Sequence, residues 1–148
     1  MKRYFCLPLV ILILLFVGYS PSAAQEIDTT GWLDIGGLRI PSTWSFSPSE
    51  GGGPPGDLDI TGESVGGSIR MFLGYGFAGS LEMLIEESVS SQAFLFDDKQ
   101  SGYMLEFPDR IIWVRESYAS VTLFHRFDSS IFIDNKDLIL KVAGTLTD

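Results

Sequence analysis

The chain of 148 residues contains one cysteine, Cys6, and one histidine, His125. Cys6 precedes an apolar N-terminal stretch, so removal of that stretch leaves a protein without any thiol. Disulfides, cysteine nucleophiles, zinc–sulfur sites and haem attachment through cysteine are then excluded. A catalytic zinc ion with a single histidine ligand would need carboxylates for the rest, which is uncommon. We therefore expect no metal ion, and the sequence alone assigns no catalytic or cofactor-binding residue.

Basic residues are also scarce, since 10 lysines and arginines face 19 aspartates and glutamates, for a net charge of −9. Lys2 and Arg3 precede the apolar stretch, so the rest of the chain has a net charge near −11. A surface this acidic repels nucleic-acid phosphates and anionic lipid headgroups. We expect no nucleic-acid partner and no stable membrane insertion of the processed chain.

The N-terminal stretch itself has the order of an export signal. Met1–Arg3 is cationic, Tyr4–Val17 is almost wholly apolar, and the small residues Ser22–Ala24 precede Gln25. The apolar part has about 14 residues, whereas a membrane-spanning helix needs roughly 20. This order is typical of a signal peptide that is removed during secretion. We predict cleavage after Ala24 and a periplasmic or secreted protein.

The sequence thus predicts a signal peptide at residues 1–24 and a single domain at residues 25–148. A domain of this length buries enough apolar surface to fold without disulfides. Its first part indicates a hairpin, because Gly36-Gly37 separates the short runs Trp32–Ile35 and Leu38–Ile40. A loop is expected over Ser47–Gly56, which is rich in glycine and proline, and further strands are expected at Leu58–Ile60 and Gly67–Leu73.

The rest of the domain combines helical and strand patterns. Ser80–Ser90 has apolar residues at helical spacing, with Ser80 as a candidate N-cap, and a last helix is expected over Lys136–Ala143. Four alternating runs between these helices predict an antiparallel meander with one buried face; they are Ala93–Phe96, Tyr103–Phe107, Arg110–Glu116 and Ser120–Phe127. We therefore predict an α+β fold, with an antiparallel sheet (hairpin plus C-terminal meander) flanked by two helices.

The segment Gly74–Gly79 has the spacing G-x-G-x-x-G between a predicted strand and a predicted helix. Asp97 follows 23 residues after Gly74, where a dinucleotide-binding unit places its ribose-binding acid. However, the residues after Asp97 have the pattern of a meander, and Met83 occupies a position that usually carries a small residue. We expect a glycine-rich turn here, with nucleotide binding as the alternative.

His125 could serve a hydrolase, with Ser129 or Ser130 as nucleophile and Asp128 as the residue that orients the imidazole. Neighbouring residues of one strand point to opposite faces, however, so adjacency in sequence does not assemble a triad. We expect a structural role for His125 and keep the hydrolase as an alternative.

Two further sets of residues suggest ligands. The acidic clusters Asp57/Asp59 and Asp97-Asp98 could bind calcium through oxygen atoms, although neither matches an EF-hand loop, and we expect them to be solvated. Aromatic residues could line an apolar pocket, but large rings dominate the cores of small domains, so we expect most of them in the core. They are Trp32, Trp44, Trp113, Phe72, Phe77, Phe94 and Phe96.

The run Gly37–Trp44, with its Ile40-Pro41 step and following tryptophan, resembles the opening of the Mog1/PsbP-like α/β/α sandwich family. The predicted order of an early helix, a meander and a closing helix is similar as well. The glycine–proline loop and Gly74–Gly79 do not match the family. The resemblance implies a non-enzymatic accessory or binding protein, and no functional residue is carried over.

Together these observations predict an exported, non-enzymatic binding or accessory protein of the cell envelope. Its acidic surface favours a protein partner or a small apolar or cationic ligand, of unknown identity. The alternative is a small secreted hydrolase that uses His125.

Overall fold

A computed structural model of the protein describes residues 26–50, 56–64, 67–76, 79–125 and 130–148. These residues form nine strands and three helices. The strands are β1 (Leu33–Asp34), β2 (Arg39–Ile40), β3 (Ser45–Pro48), β4 (Leu58–Ser64), β5 (Gly67–Tyr75), β6 (Ser90–Leu95), β7 (Ser101–Phe107), β8 (Arg110–Arg115) and β9 (Ala119–Phe124), and the helices are α1 (Leu81–Glu87), α2 (Ser130–Asp134) and α3 (Lys136–Gly144).

Seven of the strands form one antiparallel sheet in the order β3-β4-β5-β9-β8-β7-β6. Two meanders, β3-β4-β5 and β6-β7-β8-β9, are joined where β5 pairs with β9. The first two strands form a separate antiparallel pair. The predicted α+β class with an antiparallel sheet, hairpin and C-terminal meander is therefore confirmed.

The β1–β2 hairpin turns at the two predicted glycines. Gly36 and Gly37 have φ angles of 96° and 95°, a region that L-residues other than glycine rarely adopt. Asp34 Oδ1 accepts hydrogen bonds from both glycine N–H groups at 3.0 Å. These bonds stabilise the ionised carboxyl and hold the pKa of Asp34 below its ordinary value. The hairpin then packs along the C-terminal segment, because Thr147 N–H donates to Gly37 O at 2.7 Å.

Both faces of the sheet are covered, so the prediction of a single buried face is wrong. Ile111 and Trp113 of β8 point into a core closed by the hairpin, α2 and α3, and we call this side the helix–hairpin face. Ile112 and Val114 point to the opposite side, the α1 face, where they contact α1 residues. The apolar strand β8 is thus buried on both sides. The alternating patterns of the neighbouring strands did not indicate this second buried face.

The structure has one helix more than predicted, and α1 is shorter than predicted. Ser80 caps α1 as expected, since its Oγ accepts the Met83 N–H at 3.3 Å. However, α1 ends at Glu87, and Ser90 already begins β6. Helix α3 was predicted, but α2 was not, so three helices flank the sheet instead of two. Asn135 separates them; its side chain makes no cap and donates to Ile131 O at 3.0 Å.

The predicted loop after β3 begins later than expected. β3 continues through Pro48, which pairs with Leu58, and residues 51–55 lie outside the described part of the chain. In β4, a Cβ on Gly62 would lie 2.3 Å from the buried Trp44 ring, so the ring requires a glycine there. Among the helices described, none is long and apolar enough to cross a membrane.

Candidate functional site: a cavity beside His125

A cavity of about 220 Å³ opens on the helix–hairpin face, between α2 and the ends of three neighbouring strands. Six residues line it, although the Phe107 side chain belongs to the core of the α1 face: Glu106, Phe107, Ile111, His125, Phe132 and Ile133. This volume is below the roughly 300–1,000 Å³ of most small-molecule sites. The cavity therefore suits a small ligand or a single inserted side chain.

The strand register places the two polar residues on opposite walls. Glu106 of β7 is paired with Ile111 of β8, which is paired with Leu123 of β9. His125 follows β9, and its backbone N–H donates to Asp109 O at 3.1 Å, which extends the ladder by one bond. Because β8 lies between them, the backbones of β7 and β9 are about 10 Å apart. Ile111 forms the apolar floor between the walls.

Helix α2 supplies the apolar side of the cavity. Phe132 stacks at a tilt on Trp113, with 6.2 Å between ring centroids, and so is anchored to the core. Ile133 is 74% exposed, which is unusual for a large aliphatic side chain beside a cavity. Sequence reasoning missed these residues because it missed α2.

The polar walls keep their binding capacity. Within the described residues, neither the Glu106 carboxylate nor the His125 imidazole makes a hydrogen bond or an ion pair. The Arg110 guanidinium, at the start of β8, is paired with Asp109 at 3.1 Å and lies 4.7 Å from the Phe107 ring centroid. As far as the described residues show, the cavity thus offers a carboxylate without an ion pair, an imidazole and apolar side chains, a combination that suits a cation with an apolar body.

Of the triad considered for His125, the structure describes only His125 and Ser130. Arg126, Asp128 and Ser129 lie outside the described residues, and Ser130 is the first residue of α2. No hydroxyl side chain is among the described residues that line the cavity. His125 itself is half-buried at the end of β9.

The glycine motif forms a strand-to-helix turn, as expected, but in an antiparallel setting. Gly74 belongs to β5, whose neighbours β4 and β9 are both antiparallel to it. Gly76 and Gly79 have φ angles of 129° and 138°. Residues 77–78, between them, lie outside the described part of the chain. A dinucleotide-binding unit instead returns through its helix to a parallel neighbouring strand. Here α1 leads to β6, at the far edge of the sheet.

Three of the four aspartates in the acidic clusters bind other groups of the protein. Asp57 is buried and accepts the Tyr75 N–H at 3.1 Å, while Asp97 pairs with Lys141 at 3.1 Å. Asp98 forms a two-pronged bond with Arg115, at 2.8 and 3.1 Å. In the part of the chain described, no group of three or more histidine or acidic side chains could hold a metal ion.

Arg115 is the centre of a cluster that sequence reasoning missed. Its side chain is 3% exposed, and its guanidinium lies 5.0 Å from the Phe96 ring centroid. It donates to Asp98, to Asp148 Oδ1 at 3.1 Å and to Leu146 O at 2.7 Å. The hydrogen bonds from Arg115 hold the pKa of Asp98 below its ordinary value. The available signal was a single arginine at a core-facing position of an apolar strand.

A second, shallower cavity of about 190 Å³ lies beside this cluster and is lined by Tyr75, Ser117, Tyr118, Ala119 and Asp148. The Asp148 carboxyl accepts from the Ser117 hydroxyl and from Arg115, and both bonds lower its pKa. Burial, together with the nearby charges of Asp34 and Asp57, raises the pKa of the Tyr75 hydroxyl. This hydroxyl donates to Gly36 O, so its binding capacity is already used by the fold.

The aromatic residues mostly build the core, as predicted. Trp113, Phe96 and Trp44 are buried, and Trp32 and Phe94 pack against the same cluster. Phe72 is half-buried on the α1 face, and Phe77 lies outside the described residues.

No protein-family model, curated protein or solved structure matches the chain. The resemblance to the Mog1/PsbP-like family therefore stays a prediction.

Proposed function

We propose that this protein is an exported binding protein of the cell envelope, without catalytic activity of its own. Its ligand is a small molecule with an apolar body and a cationic head, held in the cavity beside His125. The leader at Met1–Ala24 supports export, and the strongly acidic composition favours cationic ligands over anionic ones.

One observation supports a ligand with a cationic head. Glu106 is a carboxylate at an apolar cavity that has no countercharge among the described residues. A cationic head that reaches Glu106 would gain a charge-assisted hydrogen bond, worth about 1.5–3 kcal/mol. The apolar body would lie against Ile111 and Phe132, and His125 would supply a second polar contact.

Isothermal titration calorimetry with phenethylamine and its neutral counterpart 2-phenylethanol tests this proposal. Each 1.4 kcal/mol is a factor of ten, so the charged bond predicts at least tenfold tighter binding of the amine. Glu106→Gln should remove this preference, whereas Glu116→Gln, at an exposed turn position, should retain it. Equal affinity for both compounds would contradict the proposed ligand class.

The hydrolase alternative makes a different prediction about His125. If the protein hydrolysed p-nitrophenyl acetate and a folded His125→Ala variant did not, the non-catalytic proposal would fail. Retained amine binding with no turnover in the wild type supports a binding protein.

A further inference from the structure

The two edges of the seven-stranded sheet differ in how they are protected. β3 ends in Pro48, which has no N–H to offer a neighbouring strand. β6 has no such device: the nine residues Ser88–Phe96 contain neither a charge nor a proline. Most of β6 is exposed, and no described strand pairs with its outer side. An unprotected edge of this kind is a template for another strand.

The register identifies the backbone groups that face outward from β6. Phe96 N–H donates to Gln100 O at 3.0 Å, so this pair is hydrogen-bonded across the β6–β7 turn. Hydrogen-bonded pairs alternate in an antiparallel ladder, so Phe94 and Gln92 also bond inward to β7. The N–H and C=O groups of Ser91, Ala93 and Leu95 therefore point away from the sheet. All three residues are exposed, and Leu95 is 60% exposed despite its apolar side chain.

The charges at the two ends of β6 are of opposite sign. Glu87 ends α1 just before the strand, and Lys99 occupies the turn just after it. Neither side chain makes an ion pair with any described residue. Asp97 of the same turn is paired with Lys141, and Asp98 is paired with Arg115, which Asp98 shares with Asp148. Among the described residues, the side chains without an ion pair at the two ends of β6 are thus an acidic one and a basic one.

We propose that a second copy of this chain pairs with β6 in antiparallel orientation, about a two-fold axis at Ala93. This register joins Ala93 to Ala93 and Ser91 to Leu95 of the second copy, so all the outward backbone groups are paired. Antiparallel pairing also brings the start of β6 in one copy, which follows Glu87 of α1, close to the end of β6 in the other, which precedes Lys99. The dimer contains a continuous sheet of fourteen strands that ends at Pro48 on each side. A two-fold contact is closed, so assembly stops at two chains.

The net charge near −11 on each processed chain opposes this association but does not prevent it. Repulsion between exposed charges is screened beyond about 8–10 Å at physiological ionic strength. Paired strands lie about 4.8 Å apart, so the contacts between the two β6 strands act inside that range. The single-strand interface is small, and we expect a dissociation constant on the order of 10 µM.

Sedimentation equilibrium of the protein purified after export, from 1 to 500 µM at 150 mM salt, measures this constant. Ala93→Pro should raise it at least 100-fold, because proline removes an outward N–H at the two-fold axis. The inward ladder bonds are untouched, so the variant should fold, with an unchanged circular dichroism spectrum. A wild-type monomer at 500 µM, or a folded Ala93→Pro variant that still dimerises as tightly, overturns the proposal.

A charge swap tests the register without any backbone change. Glu87→Lys and Lys99→Glu should each weaken dimerisation about three- to tenfold, and the double variant should return within twofold of the wild type. Glu63→Lys on β4 makes the same charge change near the opposite edge and should not weaken the dimer. If the double variant is weaker than both single ones, the proposed two-fold is wrong. A monomer that instead takes up an extended peptide of another protein along β6 overturns the second copy as occupant.

Discussion

The two faces of the sheet are covered by different parts of the chain and to different depths. The helix–hairpin face is closed by the N-terminal hairpin together with α2, α3 and the last residues, and its described core has 18 buried residues. The α1 face has a described core of four, under a seven-residue helix that contains no buried residue. Two layers of unequal depth therefore share one sheet, and we expect stability to reside mainly in the deeper one.

The same substitution on each face gives the largest expected effect. Leu123 and Leu105 are both fully buried, the first on the helix–hairpin face and the second on the α1 face. Leu123→Ala should lower the free energy of unfolding by about 4 kcal/mol and Leu105→Ala by about 2.5 kcal/mol, because a short helix can settle into a cavity more easily. Urea denaturation measures both. Equal losses would mean that the two layers contribute alike.

A second prediction concerns the charged part of the deeper face. Arg115→Met keeps most of the side-chain volume but removes the bonds to Asp98, Asp148 and Leu146 O. We expect a loss of about 2 kcal/mol. This loss should be smaller than the loss from breaking a fully buried ion pair. The side chains of Asp98 and Asp148 are 35% and 61% exposed, so water can solvate them after the substitution. Arg70→Met, at an exposed position of β5, is the matched control and should change stability little.

The smallest effect is a pH dependence that belongs to the same cluster. Arg115 lowers the folded-state pKa of Asp98 below 3.8, as Ser117 and Arg115 do for Asp148. A depressed folded pKa stabilises the protein above pH 3.8, and this stability is lost as the pH falls through the folded value. The urea midpoint should therefore decrease below pH 4, and it should decrease less in Arg115→Met. An identical pH profile for both proteins would show that the cluster does not titrate with folding.

Local patterns predicted the parts of the fold that depend on neighbouring residues. Gly36-Gly37 specified a hairpin turn through its backbone conformation, and Ser80 specified a helix start through its side-chain oxygen, which binds a backbone N–H three residues on. The α1 face was not predicted, since the coverage of Ile112 and Val114 depends on where a distant helix packs. Helix α2 was missed because five residues are too few to show a helical period.

Of the residues that line the candidate site, only His125 was named as a candidate from the sequence. His125 was singled out as the only one of its type, but its position two strands away from Glu106, on the same face of the sheet, follows from the β7–β8–β9 register. The Arg115 cluster joins residues that are 17 and 33 positions apart. No local pattern indicates such pairings, because they result from the fold as a whole.

The position of β9 has a consequence for how the chain comes together. This strand lies between β5 and β8, so it is the only link between the two meanders among the described strands. The β3-β4-β5 meander precedes β9 in sequence, and the second meander ends with it. The two meanders therefore cannot join until residues 119–124 are available. During synthesis from the N terminus, the β3-β4-β5 meander therefore remains an incomplete sheet until most of the chain has been made.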